Sequence, residues 1–131
     1  MRYYERERRE FVRVRAEVPV RYRFLSHDPA FEATGYTEGT TRDVSGGGVL
    51  MDAKVPDPDW IPGLLTERIF LCIELDLPGE DEPVRALTRA AWVQAEVQGE
   101  SDGCLVGLRF KEITREDLDR VFKYVIIRQL A

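Results

Sequence analysis

Two clusters of polar residues have types and spacings that could bind an anionic nucleotide. In the first, 9-REFVR-13, Arg9 and Arg13 are separated by three residues. In the second, 43-DVSGGG-48, Asp43 and Ser45 come just before a run of three glycines. A guanidinium can donate two parallel hydrogen bonds to a phosphate or to O6 and N7 of guanine. A carboxylate can instead accept hydrogen bonds from the N–H edge of guanine, and a hydroxyl can donate or accept. Together the two clusters predict a site for a guanine nucleotide with phosphates.

The glycines Gly46, Gly47 and Gly48 precede an apolar run that is typical of a β-strand. Glycine beside a strand costs stability, because it loses the most backbone freedom on folding. We therefore interpret Gly48 as a position where the backbone passes close to a flat ligand, while Gly46 and Gly47 could simply shape the turn. The alternatives are a Ser or Asx turn followed by a bulge, and a chance RxxxR pattern in an arginine-rich chain.

Enzymatic chemistry and metal binding find little support in the sequence. His27 is the only histidine, and no cysteine or second histidine lies near it to complete a base–nucleophile pair. Cys72 and Cys104 are far apart, which disfavours a zinc site and predicts buried free thiols in a reducing cytoplasm. The glycine run lacks the Lys-Ser/Thr of a phosphate-binding loop. We expect no enzyme activity, no metal and no cofactor.

The charge is unevenly distributed. The chain has a net charge of -5, whereas residues 1–23 contain eight arginines and four glutamates and so carry +4, which leaves -9 for the rest. This distribution suits a small anion better than a long nucleic acid, although the charge alone favours a solvated, salt-bridged surface without a ligand. No apolar run approaches the roughly 20 residues that cross a bilayer, and the charged N-terminus is no secretory signal. The sequence thus predicts a cytoplasmic protein without membrane insertion.

The periodicity predicts the elements that carry these residues. Residues 12–24 alternate strictly between apolar and polar side chains, as in a half-buried strand. Further strands are expected over about 32–43, from Gly48 to Met51, and over 68–75, 84–97 and 104–110, with a long surface connection over 52–63. After Thr114, a good N-cap, apolar residues recur at helical spacing. The prediction is a mainly β fold, six antiparallel strands closing into a small barrel, followed by a C-terminal α-helix.

The two clusters resemble the signature of a known family. 9-REFVR-13 and 43-DVSGGG-48 match the RxxxR and D/NxSxxG motifs of PilZ domains, and the resemblance extends through 104-CLVGLRFKEI-113 and the helix after it. It implies a six-stranded antiparallel barrel with a C-terminal helix that binds the bacterial second messenger cyclic di-GMP. It also implies two regions, a mobile arginine-rich segment over 1–10 and a barrel domain over 11–131.

The resemblance further implies which residues bind the ligand. These are Arg8, Arg9, Arg13, Asp43, Ser45 and Gly48. The second and third arginines would grip the phosphates and the guanine Hoogsteen edges, with the first assisting. The aspartate and serine would read a guanine, and the glycine would let the chain pass closely. Trp92, on a predicted strand, would either belong to the core or stack on a guanine.

Signalling is expected to run through the N-terminal segment. Residues 1–10 are charged and have little to bury, so one dianionic ligand or a stacked pair would neutralise their arginines and clamp them onto the barrel. A downstream protein would then read the altered surface. The alternative is a PilZ-like protein-interaction module that does not bind the nucleotide.

Overall fold

The computed structural model describes residues 12–31, 35–95 and 103–131. The elements of these ranges are, in chain order, β1 (Arg13–Arg15), β2 (Pro19–Leu25), β3 (Thr37–Ser45), β4 (Gly48–Lys54), a 3-10 helix (Pro58–Trp60), α1 (Ile61–Leu65), β5 (Phe70–Leu75), β6 (Val84–Ala95), β7 (Gly103–Ile113) and α2 (Arg115–Leu130). The predicted boundary between residues 10 and 11 lies outside the described residues. Neither α-helix of the described ranges is long and apolar enough to span a bilayer.

The strands form one antiparallel sheet that closes on itself. Neighbouring strands follow the order β1-β3-β2-β5-β6-β7-β4, and β3 also pairs with β4. The pairing of β3 with β4 closes the six strands β2 to β7 into a barrel. β1 is an extra strand: it pairs with the end of β3, along the same edge on which the start of β3 pairs with β2. The predicted six-stranded antiparallel barrel with a C-terminal helix is confirmed.

The first predicted strand is in fact two strands. Residues 16–18 interrupt it, yet Ala16 and Val18 stay buried, so the alternation of the sequence continues through the break. The buried Thr41 bridges the interruption: its hydroxyl accepts from the N–H of Val18 at 3.0 Å and donates to the carbonyl of Ala16 at 2.6 Å. Pro19 begins β2, where its missing N–H costs no internal ladder bond.

The predicted surface connection over 52–63 is also more structured than expected. It contains the end of β4, the 3-10 helix and the start of α1. Asp57 caps the 3-10 helix by accepting from the N–H of Asp59 at 2.9 Å. The ring of Trp60 meets those of Phe24 and Phe31 edge-on, each at a centroid distance of 5.5 Å, and Leu64 is fully buried. The prolines therefore start short helices that cover one end of the barrel.

Inward-facing apolar side chains fill the barrel. The largest that are fully buried include Tyr22, Met51, Ile69, Leu71, Ile73, Leu75, Val84 and Val106. The hydroxyl of Tyr22 accepts from the N–H of Lys54 at 2.8 Å, and desolvation raises the pKa of this phenol. The two cysteines form no disulfide; Cys104 is buried, as predicted, whereas Cys72 is half-buried.

The C-terminal helix is capped at its start and is held on the barrel through its middle. The Thr114 hydroxyl accepts from the N–H of Asp117 at 3.1 Å, which confirms the predicted N-cap. Val121 and Val125 are buried. Arg120 donates to the carboxylates of Asp117 and Glu80 and to two backbone carbonyls of the turn before β6. That acidic turn is therefore an anchor for the helix rather than merely a solvated loop.

Replacing Thr41 by valine should destabilise the fold. The substitution keeps the shape of the side chain but leaves the N–H of Val18 and the carbonyl of Ala16 without their partner. We expect the free energy of unfolding, measured by urea denaturation, to fall by about 2 kcal/mol or more. The matched control is Thr40→Val, an exposed neighbour on the same strand, which should change it by less than about 0.5 kcal/mol. Equal effects of both substitutions would contradict the bridging role.

Candidate functional site

Two of the predicted site residues face each other across β1 and β3. Arg13 pairs with Ser45, and Arg15 pairs with Asp43. Residues directly opposite in an antiparallel pair point to the same side of the sheet. The second arginine of the RxxxR motif therefore lies directly across from the serine of the DxSxxG motif, and both motifs meet on one surface.

That surface is the outside of the barrel. Val14 and Val44, which pair between the two polar pairs, are buried, so the polar residues on either side of them point outwards. Arg13 and Arg15 are exposed, and Asp43 and Ser45 are half-buried. A ligand can thus reach all four side chains from solvent.

The charged groups of this surface are not joined in ion pairs in the described structure. Within the described part of the chain, no ion pair or side-chain hydrogen bond engages the guanidinium groups of Arg13 and Arg15 or the carboxylate of Asp43. A register shift between Thr41 and Asp43 marks a bulge at Arg42, whose guanidinium instead bonds Asp52 at 2.8 Å. Because of the bulge, Asp43 lies opposite β1, while the side chain of Arg42 bonds Asp52 of β4.

Ser45 has a structural role in the turn that follows it. Its hydroxyl accepts from the N–H groups of Gly47 and Gly48, each at 3.1 Å, and lies 3.2 Å from the Gly48 carbonyl, to which it can donate. A serine hydroxyl offers one donor and two acceptor positions, so its capacity is filled by the turn. The Ser turn considered as an alternative is therefore present, and a base contact by Ser45 would have to replace one of these bonds.

Gly48 packs against the backbone of β7 and Gly46 packs against the side chain of Phe122, so both glycines have a packing role within the protein, whether or not Gly48 also approaches a ligand. A Cβ on Gly48 would lie 1.8 Å from the carbonyl oxygen of Leu108 in β7. A Cβ on Gly46 would lie 2.3 Å from the ring of Phe122 in α2. The missing side chains let the β3–β4 turn fit between β7 and the helix, and the carbonyl of Gly47 accepts from the N–H of Phe110 at 2.9 Å.

The remaining candidate residues are distributed as follows. Arg8 and Arg9 lie outside the described residues. His27 is exposed in the loop after β2. Trp92 is 38% exposed and lies over Gly107, where a Cβ would come within 2.4 Å of the indole nitrogen. Trp92 is thus not a core residue, and its stacking on a guanine stays a prediction. In the described ranges, no group of three or more His, Cys, Asp or Glu side chains is placed to hold a metal ion.

Arg15 was not predicted as a site residue because it belongs to neither motif, although the sequence pattern around it indicates its position. The strict alternation of residues 12–24 places Arg15 on the same face as Arg13, and β1 ends opposite Asp43. Arg109, which pairs with Gly48 across β4 and β7, had no such signal. Its position depends on the register between two strands that are distant in the sequence.

The chain matches a family model in sequence and several solved proteins in fold. The family model described as PilZ domain matches residues 7–126. The structure of the Bacillus subtilis inhibitor of motility (MotI/DgrA) is 19% identical, with a TM-score of 0.65 over 94% of this chain and 51% of that one. The PilZ domain of YcgR from Escherichia coli with c-di-GMP is 11% identical, with a TM-score of 0.57 over 94% and 92%.

The K. pneumonia MrkH–c-di-GMP complex is 18% identical, with a TM-score of 0.56 over 92% of this chain and 51% of that one. At these identities the likeness shows a shared fold. The chain spans about half the length of MotI and MrkH. Among curated protein sequences, none matches this chain significantly.

Gly48→Ala should destabilise the barrel even without ligand. The new Cβ would collide with the backbone of β7, and overpacking of this kind costs on the order of 1–3 kcal/mol or more. The control is Gly79→Ala, which has φ of 78° but open space around it, so it suffers conformational strain alone. Thermal unfolding should show the larger loss for Gly48→Ala. A loss equal to that of Gly79→Ala would contradict the packing role.

Proposed function

Since the chain belongs to the PilZ domain family, we propose that it is a receptor for cyclic di-GMP, which signals to a downstream protein when the ligand orders residues 1–10 against the barrel. The observation that carries the proposal is the register of β1 and β3, which gathers Arg13, Arg15, Asp43 and Ser45 on one exposed face. YcgR and MrkH, which share the fold, have been solved with c-di-GMP.

The chemistry of the face suits this ligand. Arg13 and Arg15 supply two planar guanidinium groups, which bind phosphate oxygens or the O6 and N7 atoms of guanine. Asp43 carries the opposite charge, so it repels a phosphate and gains only by accepting hydrogen bonds from the N–H edge of a base. The arginines therefore provide affinity, and the aspartate provides the choice of guanine.

The role proposed for Arg8 and Arg9 follows from the sequence. Seven of the first ten residues are charged, so this segment offers little apolar surface for folding onto the barrel by itself. Phosphates bound at Arg13 would attract the two arginines just before it and bring the segment onto the barrel. The surface and charge near β1 would then differ between the free and bound states, and a partner could read the difference.

One observation favours the alternative of an interaction module that does not bind the nucleotide. Ser45 and Gly48, two of the motif residues, are both explained by the turn and by its packing against β7. Such a module would still need them for folding. In the part of the chain that the structure describes, the side chains of Arg13, Arg15 and Asp43 form no comparable bonds, and they are the reason that we favour the receptor.

Cyclic di-GMP should bind the purified chain with a Kd near micromolar or tighter, roughly -8 kcal/mol, and better than GMP or GTP. Calorimetry measures this directly. Absence of both heat and a change in Tm at high ligand excess would instead favour the interaction module.

Deleting residues 1–10 should abolish tight binding of cyclic di-GMP, while urea denaturation shows that the barrel is still folded. Unchanged affinity after the deletion would refute the role of Arg8 and Arg9.

Arg13→Ala should weaken binding about tenfold or more, because each charge-assisted hydrogen bond is worth on the order of 1.5–3 kcal/mol. Stability should change little, since the guanidinium has no partner in the described structure. Arg85→Ala is the control: Arg85 is equally exposed but bonds Glu74 at 3.2 Å on another part of the barrel. If both substitutions weaken binding equally, the site is a diffuse positive surface and the motif has no special part.

A further inference from the structure

A second pair of arginines lies on the same outer surface, beyond Gly48. Arg109 of β7 pairs with Gly48 of β4 and, on its other side, with Arg89 of β6. The neighbouring Leu108 and Ala90 are buried, so both arginines point outwards. One row of paired residues therefore crosses five strands, in the order Arg13, Ser45, Gly48, Arg109, Arg89.

The pair has two like charges directly opposite each other, which destabilises an antiparallel sheet. In the described part of the chain, no acidic side chain bonds either guanidinium. Another row of the same barrel shows how this cost is normally avoided. There, Glu74 lies between Arg21 and Arg85 and accepts from both, at 3.1 and 3.2 Å.

Arg21 in that compensated row also donates to Asp76 at 2.7 Å, a bond that lowers the pKa of the Asp76 carboxyl. Glu74 and Asp76 thus supply acidic partners to the arginines of this row. Within the described ranges, the facing arginines Arg89 and Arg109 bond no acid, which points to an anion that comes from outside the chain.

We propose that Arg89 and Arg109 bind one phosphate of the ligand while Arg13 binds the other, so that the cyclic dinucleotide lies across Ser45 and Gly48. This inference rests on the proposed function and adds a second phosphate position to it. Strands are about 4.8 Å apart, so Arg13 and Arg109 are separated by three spacings, about 14 Å along the sheet. Side chains of this length reach towards each other over Gly48, which places no side chain between them.

A ligand with two phosphodiesters engages both groups of arginines, whereas a mononucleotide reaches only one. The pair would therefore help the receptor to distinguish a cyclic dinucleotide from GMP. Bridging also explains why the two groups lie on opposite sides of the glycine turn rather than side by side.

The test compares the full chain with the double variant Arg89→Gln/Arg109→Gln, by calorimetry at fixed ionic strength with cyclic di-GMP and with GMP. The variant should bind cyclic di-GMP about tenfold or more weakly, because charge-assisted bonds to one phosphate are lost. Its affinity for GMP should stay within about twofold, since exposed charges at a distance contribute little. Arg85→Gln, on the same strand as Arg89, should leave both affinities unchanged.

Thermal unfolding without ligand gives an independent readout. The double variant should unfold at the same or a higher temperature than the unchanged chain, because the repulsion between facing arginines is removed. A lower Tm would show that the pair supports the fold and would overturn its assignment to the ligand.

The remaining outcomes separate the two proposals. If the unchanged chain binds cyclic di-GMP and the double variant binds it equally well, this inference fails and the receptor function stands. Loss of affinity by the same factor for both nucleotides would also overturn it, because the arginines would then act only as general positive charge. If the unchanged chain does not bind cyclic di-GMP at all, the proposed function fails, and this inference fails with it.

Discussion

The closure of the barrel at the β3–β4 turn is the constraint on which the rest of this structure depends. β3 pairs with β4 on one side and with β1 and β2 on the other, so a single strand joins the barrel and its extra strand. The turn closes tightly because Ser45 bonds two backbone N–H groups and Gly48 admits the carbonyl of Leu108. Every candidate ligand contact on β1, β3 and β7 takes its position from this junction.

The motif residues therefore divide by physical role. Ser45 and Gly48 build the junction, whereas Asp43 and Arg13 lie on it with their charged groups unengaged in the described structure. The same division of roles applies to any related chain that no longer binds a ligand. Such a chain must keep the serine and glycine to close its barrel, while it can lose the aspartate and arginine without cost. A motif that looks half intact is thus the expected form of a non-binding barrel.

The sequence predicted the barrel and helix well because their signals are local. The alternation of residues 12–24, the helical spacing after Thr114 and its capping chemistry each operate within a few residues. The break at residues 16–18 was missed, since its bonds come from Thr41 in another strand. The packing of Gly48 against β7 was missed for the same reason: the nearby carbonyl belongs to Leu108 of β7, and no pattern around the glycine reveals it.

Net charge is a poor guide to what such a surface binds, because the arrangement of charges decides the local field. The chain carries -5 overall, yet individual carboxylates lie beside specific arginines, as at Glu74, Asp76 and Glu80, so the excess negative charge is not spread evenly over the surface. Among the described residues, Arg13 and Arg15 of β1, Arg89 of β6 and Arg109 of β7 bond no acidic side chain, and they lie on the outer surface on both sides of the glycine turn. A long polyanion would have to pass the acidic remainder of the surface, where it is repelled. Under the proposed function, a compact dianion would lie between the arginines without meeting that acidic surface, so the charges that would attract the small ligand would exclude the large one.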